Sequence, residues 1–260
     1  MRNDYAFSFS GWKTFRKCPR AWWLSKVLFW EGWLKSAPQR TRLAYGLTKM
    51  QTLYTLAGRI VHTLAEGIIR RPERADAELL MREFTREFDA GLAESKSGAW
   101  AGDPKRITNL YEDYYRLPEA EREQIEERAR AAGLQSAMNL ASSAAVTRAA
   151  AVHAGGRVIS TERLEQFQVA GIPVWVSLDL AFRDDGGTVY LTDYKTGRPR
   201  AEHRAQIGLY ALFWQAKETT PMENLRLSLE YLRDGTEELI APNEDELDEI
   251  RAGIIEAAST

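Results

Sequence analysis

The spacing of apolar residues changes near residue 155. Before it, apolar residues recur at three- and four-residue intervals, which predicts helices; after it, they alternate or run together, which predicts strands. Ser8 and Ser10 are candidate N-caps for a helix over 11–24, which Pro19 should kink or divide. A second long helix is expected over 41–70, with Leu47, Met50, Tyr54, Ala57, Val61, Leu64 and Ile68 as its buried stripe. Residues 75–152 read as mostly helical: 79–92 is amphipathic, 119–132 is charged nearly all round, and 98–104 is a loop. Beyond Gly155-Gly156, strands are expected over 158–169 and 172–182. Asp184-Asp185-Gly186-Gly187 signals a hairpin turn into a returning strand over 188–194. A helix over 201–217, a strand over 225–232 and a last helix over 244–258 complete the pattern. This order predicts an α/β arrangement with a mixed sheet flanked by helices.

Composition narrows the class without naming it. The 260 residues suffice for one sizeable core, and 44% hydrophobic with 28% charged residues is an ordinary globular balance. No apolar run approaches the ~20 residues that span a bilayer, and the N-terminus lacks the apolar stretch of a signal peptide. With one cysteine, Cys18, neither an internal disulfide framework nor a self-contained cysteine metal site can form. A cytoplasmic location and no membrane partner are therefore expected. The reading is one domain over 1–260, in three parts. Residues 1–71 form a basic, aromatic-rich helical region, 72–152 a helical insertion, and 153–260 the sheet and its flanking helices.

The net charge of −2 hides an uneven distribution. Residues 1–74 hold 14 Lys/Arg against 4 Asp/Glu, whereas 234–260 hold 1 against 9. Salt screens charges beyond about 8–10 Å, so a polyanion would feel the basic region and not the total. In the first helix Lys13, Arg16, Lys17 and Arg20 interleave with Trp12, Phe15, Trp22 and Trp23. Such a pattern suits nucleic-acid binding, or simply a core with a solvated face.

The strongest chemical signal is Thr192-Asp193-Tyr194-Lys195-Thr196-Gly197. Residues two apart on a strand share a face, so Asp193 and Lys195 point the same way at the end of an apolar strand. Asp179 interrupts another apolar run, 174–182, where a lone carboxylate is costly unless compensated. A tight hairpin would bring the two carboxylates together. At ~4 Å they would repel by about 4 kcal/mol at an effective dielectric near 20, which calls for a cation. Lys195 supplies one charge and a divalent Mg²⁺ or Mn²⁺ two, the oxygen ligands implying a hard ion. A structural Asp–Lys ion pair is the alternative on these three residues alone. Gln206 and Tyr210, four apart, share a helix face directed at the strand ends. His62 is a candidate imidazole ligand that would favour Mn²⁺.

Taken together, these segments resemble the RecB/AddB-like branch of the PD-(D/E)XK nuclease superfamily, which includes CRISPR-associated and phage-type exonucleases. The resemblance rests on five motifs in order: Cys18-Pro19-Arg20-Ala21-Trp22-Trp23-Leu24, Gly58-x-x-x-His62, Asp179, Asp193-Tyr194-Lys195-Thr196-Gly197 and Gln206-x-x-x-Tyr210. It covers residues 8–232, apart from 72–152. It implies a restriction-endonuclease-like core and metal-dependent hydrolysis of DNA, exonuclease-like on linear or single-stranded ends. The setting would be DNA repair, recombination or phage/CRISPR-type defence, with a helicase or other protein as a further partner. It assigns metal binding to His62, Asp179, Asp193 and the Tyr194 carbonyl. Lys195 would position the attacking water, and Gln206 and Tyr210 would orient Lys195 or the strand. DNA binding is expected of Lys13, Arg16, Lys17 and Arg20, and an outer role of Glu162 or its rival Glu165. Many relatives carry an iron–sulfur cluster on four cysteines; Cys18 alone cannot hold one, so none is expected from this chain. The alternative function is a catalytically silent module that binds DNA or protein.

Overall fold

A computed structural model describes residues 6–153, 158–160, 163–218 and 220–259. They divide into two compact units, one helical (Ser10–Ile60 with Arg82–Leu134) and one containing the sheets (Val61–Met81 and Gln135–Thr260 with the N-terminal stretch to Phe9).

The chain opens with β1 (Phe7–Ser8), α1 (Phe9–Lys17) and α2 (Pro19–Trp23), followed by a π-helical turn over Leu24–Leu28. Pro19 divides the first helix as expected, and Cys18 caps α2 by accepting the Ala21 amide on its sulfur at 3.4 Å. The single helix expected over 41–70 is instead α3 (Gln39–Thr48) and α4 (Leu53–Arg70). The break has a local cause. Gln51 forms a parallel bridge with Leu110, and the Thr52 and Thr55 hydroxyls bond each other's amides at the start of α4. Beyond the break the expected stripe holds, with Ala57, Val61, Leu64 and Ile68 buried; Tyr54, in the first turn of α4, is instead 46% exposed, and Leu53, Leu56 and Ile60 join the buried face. Glu112 closes the same helix start, accepting the Leu53 amide at 3.1 Å.

Helices α5 (Ala77–Ser97), α6 (Tyr111–Tyr114), α7 (Glu119–Leu140) and α8 (Ala144–His153) follow. Within the helical unit Phe84 and Phe88 are stacked and fully buried. Gly133 of α7 abuts the end of the Phe84 ring: a Cβ there would fall 2.1 Å from its Cζ, so no other residue fits without moving the ring.

The sheet-bearing unit contains β2 (Val158–Ser160), β3 (Arg163–Val169), β4 (Ile172–Leu178), β5 (Leu180–Arg183), β6 (Val189–Lys195), α9 (Ala201–Lys217), β7 (Leu225–Tyr231), β8 (Thr236–Ile240) and α10 (Glu244–Ser259). Two sheets form, in the orders β1-β4-β3 and β2-β5-β6-β7-β8, and each mixes parallel with antiparallel pairs. The expected mixed α/β layering is thus present, with two sheets in place of one. The run expected as one strand over 172–182 is cut at Asp179: β4 ends in one sheet and β5 begins in the other. The short strands β1 and β8 carry no period long enough to read. The hairpin from β5 to β6 turns where expected, with Gly187 at φ 86° and the Asp184 carboxylate accepting the Thr188 amide.

Helix α9 packs on strands of both sheets, and Ile207 through Trp214 are all buried. A helix buried all round from Ile207 to Trp214 shows little apolar periodicity there. At the far side of β7, Glu230 is buried and reaches the start of α8, accepting the Ser143 hydroxyl at 2.7 Å and the Ala144 amide at 2.9 Å. Burial pushes its carboxyl above the usual range. Glu230→Ala would leave these donors unsatisfied and is expected to cost about 1–3 kcal/mol, read from the urea midpoint. An unchanged midpoint would show that the contact contributes nothing.

Candidate active site

The C-terminal end of β6 carries Asp193 and Lys195 on one face, beside the chain's passage from β4 to β5 at Asp179. Antiparallel pairing of Leu180 with Thr192 sets Asp179 next to the β6 backbone, and its Oδ2 accepts the Tyr194 amide at 2.7 Å. Its Oδ1 lies 3.5 Å from His62 Nδ1 on α4. The His62 ring meets the edge of Tyr194, with centroids 6.3 Å apart.

Asp193 is only 2% exposed. Its Oδ1 accepts the Tyr210 hydroxyl at 3.0 Å and Gln206 Nε2 at 3.3 Å, both from α9. Its Oδ2 is buried and paired with the Lys195 ammonium. Lys195 also donates to Gln206 Oε1 at 3.0 Å. Gln206 therefore spans the pair, with its oxygen on the cation and its nitrogen on the carboxylate. Burial, then repulsion from Asp179, pushes Asp193 up to about 6 against the pull of Lys195. Burial and the adjacent Asp193 and Asp179 carboxylates hold the Tyr210 phenol well above its ordinary value, so it remains a donor.

This arrangement concentrates two carboxylates, one ammonium and one imidazole around a strand end. Among the described residues, no group of three or more His, Cys, Asp or Glu side chains is placed to hold a metal ion. The donor chemistry nevertheless fits a hard divalent ion. Asp193 is a buried carboxylate beside a second one, and the Asp179–Asp193 repulsion is the kind a dication relieves.

The other residues singled out in the sequence lie elsewhere. Lys13, Arg16, Lys17 and Arg20 are exposed on the helical unit, where the Arg16 guanidinium sits 5.1 Å from the Trp12 ring centroid. Glu165 is engaged by Lys217 at 2.9 Å, and Glu162 lies outside the described residues. One contributor was not anticipated, the Tyr194 amide that fixes Asp179. Its only signal is its place between Asp193 and Lys195.

A family model described as the PD-(D/E)XK nuclease superfamily matches residues 6–259. No curated protein matches the chain at a significant level. No helix among the described residues is long and apolar enough to cross a membrane.

Proposed function

Because the chain belongs to the PD-(D/E)XK nuclease superfamily, we propose that it is a metal-dependent DNA nuclease whose reaction is carried by Asp179, Asp193 and Lys195. The observation that carries this reading is the buried Asp193 carboxylate, facing Lys195 on one oxygen and held by Tyr210 and Gln206 on the other. A structural ion pair has no need of a second carboxylate that raises its cost, and Asp179 does that.

Asp179 and Asp193 would hold a Mg²⁺ or Mn²⁺ ion, with His62 and the Tyr194 carbonyl as further ligands. Such an ion supplies a bound water of lowered pKa and charge stabilisation on a phosphoryl oxygen. The chain's own groups do the rest. Lys195 orients the attacking water and donates to the charge that develops on the phosphoryl oxygens. Gln206 fixes the ammonium by its 3.0 Å bond, and Tyr210 keeps the Asp193 carboxylate in one rotamer. The substrate is linear or single-stranded DNA attacked from its ends, in repair, recombination or defence, with a helicase or similar protein delivering it. Lys13, Arg16, Lys17 and Arg20 contribute to holding the strand.

The purified protein, offered linear duplex, circular duplex and single-stranded DNA, is expected to degrade linear and single-stranded forms in Mn²⁺ or Mg²⁺ and neither in EDTA. Cleavage in EDTA would refute the metal dependence. Binding without cleavage of any substrate would favour the silent binding module.

A further inference from the structure

The helical unit carries two adjoining clefts that the proposed reaction does not use. The first, of about 280 Å³, is lined by Trp100, Tyr114, Asn109 and Arg42 among others. The second, of about 380 Å³, is lined by Lys49, Arg59, Lys105 and Arg106. They share Pro104, and the chain passes directly from one lining to the other at Thr108-Asn109.

Their chemistries differ in a complementary way. The Trp100 and Tyr114 rings lie 5.5 Å apart at 59° beside the first cleft, so a flat π-face is available to a planar guest. Asn109 is 1% exposed, yet its carboxamide oxygen has no hydrogen-bond partner. A buried acceptor left in that state costs about 1–3 kcal/mol, and a guest that brings an N–H recovers it. The second cleft has four cations against two carboxylates, Glu87 and Glu94. Glu87 is paired with Arg86 at 2.8 Å, Glu94 accepts the Thr108 amide at 2.9 Å, and Asp103 stands 3.8 Å from Arg106. With Lys49, Arg59 and Lys105 the formal charge at the cleft is still positive.

We infer that these clefts form one binding site for single-stranded nucleic acid, with a base in the Trp100–Tyr114–Asn109 cleft and phosphates along Lys49, Arg59, Lys105 and Arg106. Stacking and one N–H donor are features every base offers, so the site is tolerant of sequence. A duplex conceals its base faces and fits the second cleft alone. The choice of polymer rests on the nuclease reading, and it names which form of DNA the chain prefers to hold.

The test is anisotropy of a labelled (dT)8 and of an abasic octamer of equal charge, in EDTA so that no cleavage is required. The wild type is expected to bind (dT)8 at least tenfold more tightly than the abasic chain. Trp100→Leu and Asn109→Leu should each lose that preference with the salt dependence unchanged. The combination Lys49→Ala, Lys105→Ala and Arg106→Ala should weaken both probes tenfold or more. It should also reduce the slope of log K against log salt by about 2, at roughly 0.7 per phosphate contact. Equal binding of the two probes by the wild type overturns the inference, as does wild-type behaviour of folded Trp100→Leu, a partly exposed position that tolerates change if Asn109→Leu does not fold. Heparin competing as well as (dT)8 would reduce the site to a general polyanion surface and also overturn it. Failure of the nuclease reading would instead appear as absent cleavage in Mn²⁺, whatever the binding result.

Discussion

Lys195→Ala is expected to lower metal-dependent cleavage about 10³-fold while leaving DNA binding within a few-fold of wild type. The magnitude is that of removing one preorganised donor from a developing oxyanion. The structure gives the reason for so large an effect from one side chain. The ammonium is held from two sides, by the Asp193 carboxylate and by Gln206 at 3.0 Å, so its position needs no reorganisation during the reaction. Alanine removes the charge and leaves Asp193 buried against Asp179 without a cation. Lys195→Arg preserves the charge but not its placement, because a planar fork cannot occupy the point where the compact ammonium meets both partners. It should recover little activity. Single-turnover rates on single-stranded DNA in Mn²⁺ separate the chemical step from binding. Equal rates for wild type and Lys195→Ala would sink the assignment.

Asp193→Asn is expected to be inactive and, in chelator at pH 7, more stable than the wild type. Burial and Asp179 raise the folded-state value of Asp193 from 3.8 to about 6. A carboxyl raised in this way favours folding fully below its unfolded value and loses that contribution as pH rises through the folded one. Wild-type stability from this group should therefore fall between about pH 4 and pH 6. The loss is about 3 kcal/mol, at 1.36 kcal/mol per unit. Asparagine resembles the protonated acid and carries no such loss. Urea unfolding in EDTA at pH 4.5 and pH 7 should show the mutant ahead by about 1 kcal/mol at the lower pH and by roughly 3 kcal/mol at the higher. A mutant less stable at pH 7 would mean that the ionised carboxylate is a net structural asset, as in an ordinary ion pair. The two variants are complementary: the first removes the cation and the second the charge that requires it.

What sequence reading reached, and what it missed, has physical causes in particular elements. Helix α9 is legible over its full span, 201–217, because Gly197 and Pro199 break the strand before it and Ile207, Tyr210, Ala211 and Trp214 recur at helical spacing. The hairpin at Asp184–Gly187 was equally plain, since a positive φ selects glycine. The join between α3 and α4 was hidden. Residues 49–52 fit a helical period, and the contact that breaks the helix is with Leu110, about sixty positions away. Likewise Trp100 and Asn109 stand in a stretch with no motif, and their cleft exists only because loop and helices meet there.

The site itself divides along the same line. That Asp193 and Lys195 share one face of a strand end, and Gln206 and Tyr210 one face of the helix after it, follows from backbone periods of two and 3.6 alone. Asp179 in an apolar run likewise marks a costly carboxylate that needs a reason. Packing of distant segments sets Asp179 at a switch between two sheets, where its two oxygens take the Tyr194 amide and His62. The same packing lets Gln206 bridge Lys195 to Asp193. Periodicity is local and records which way a side chain points. Which groups face one another depends on strand pairing and helix packing between distant segments, and that is where the charges of this site are set against each other.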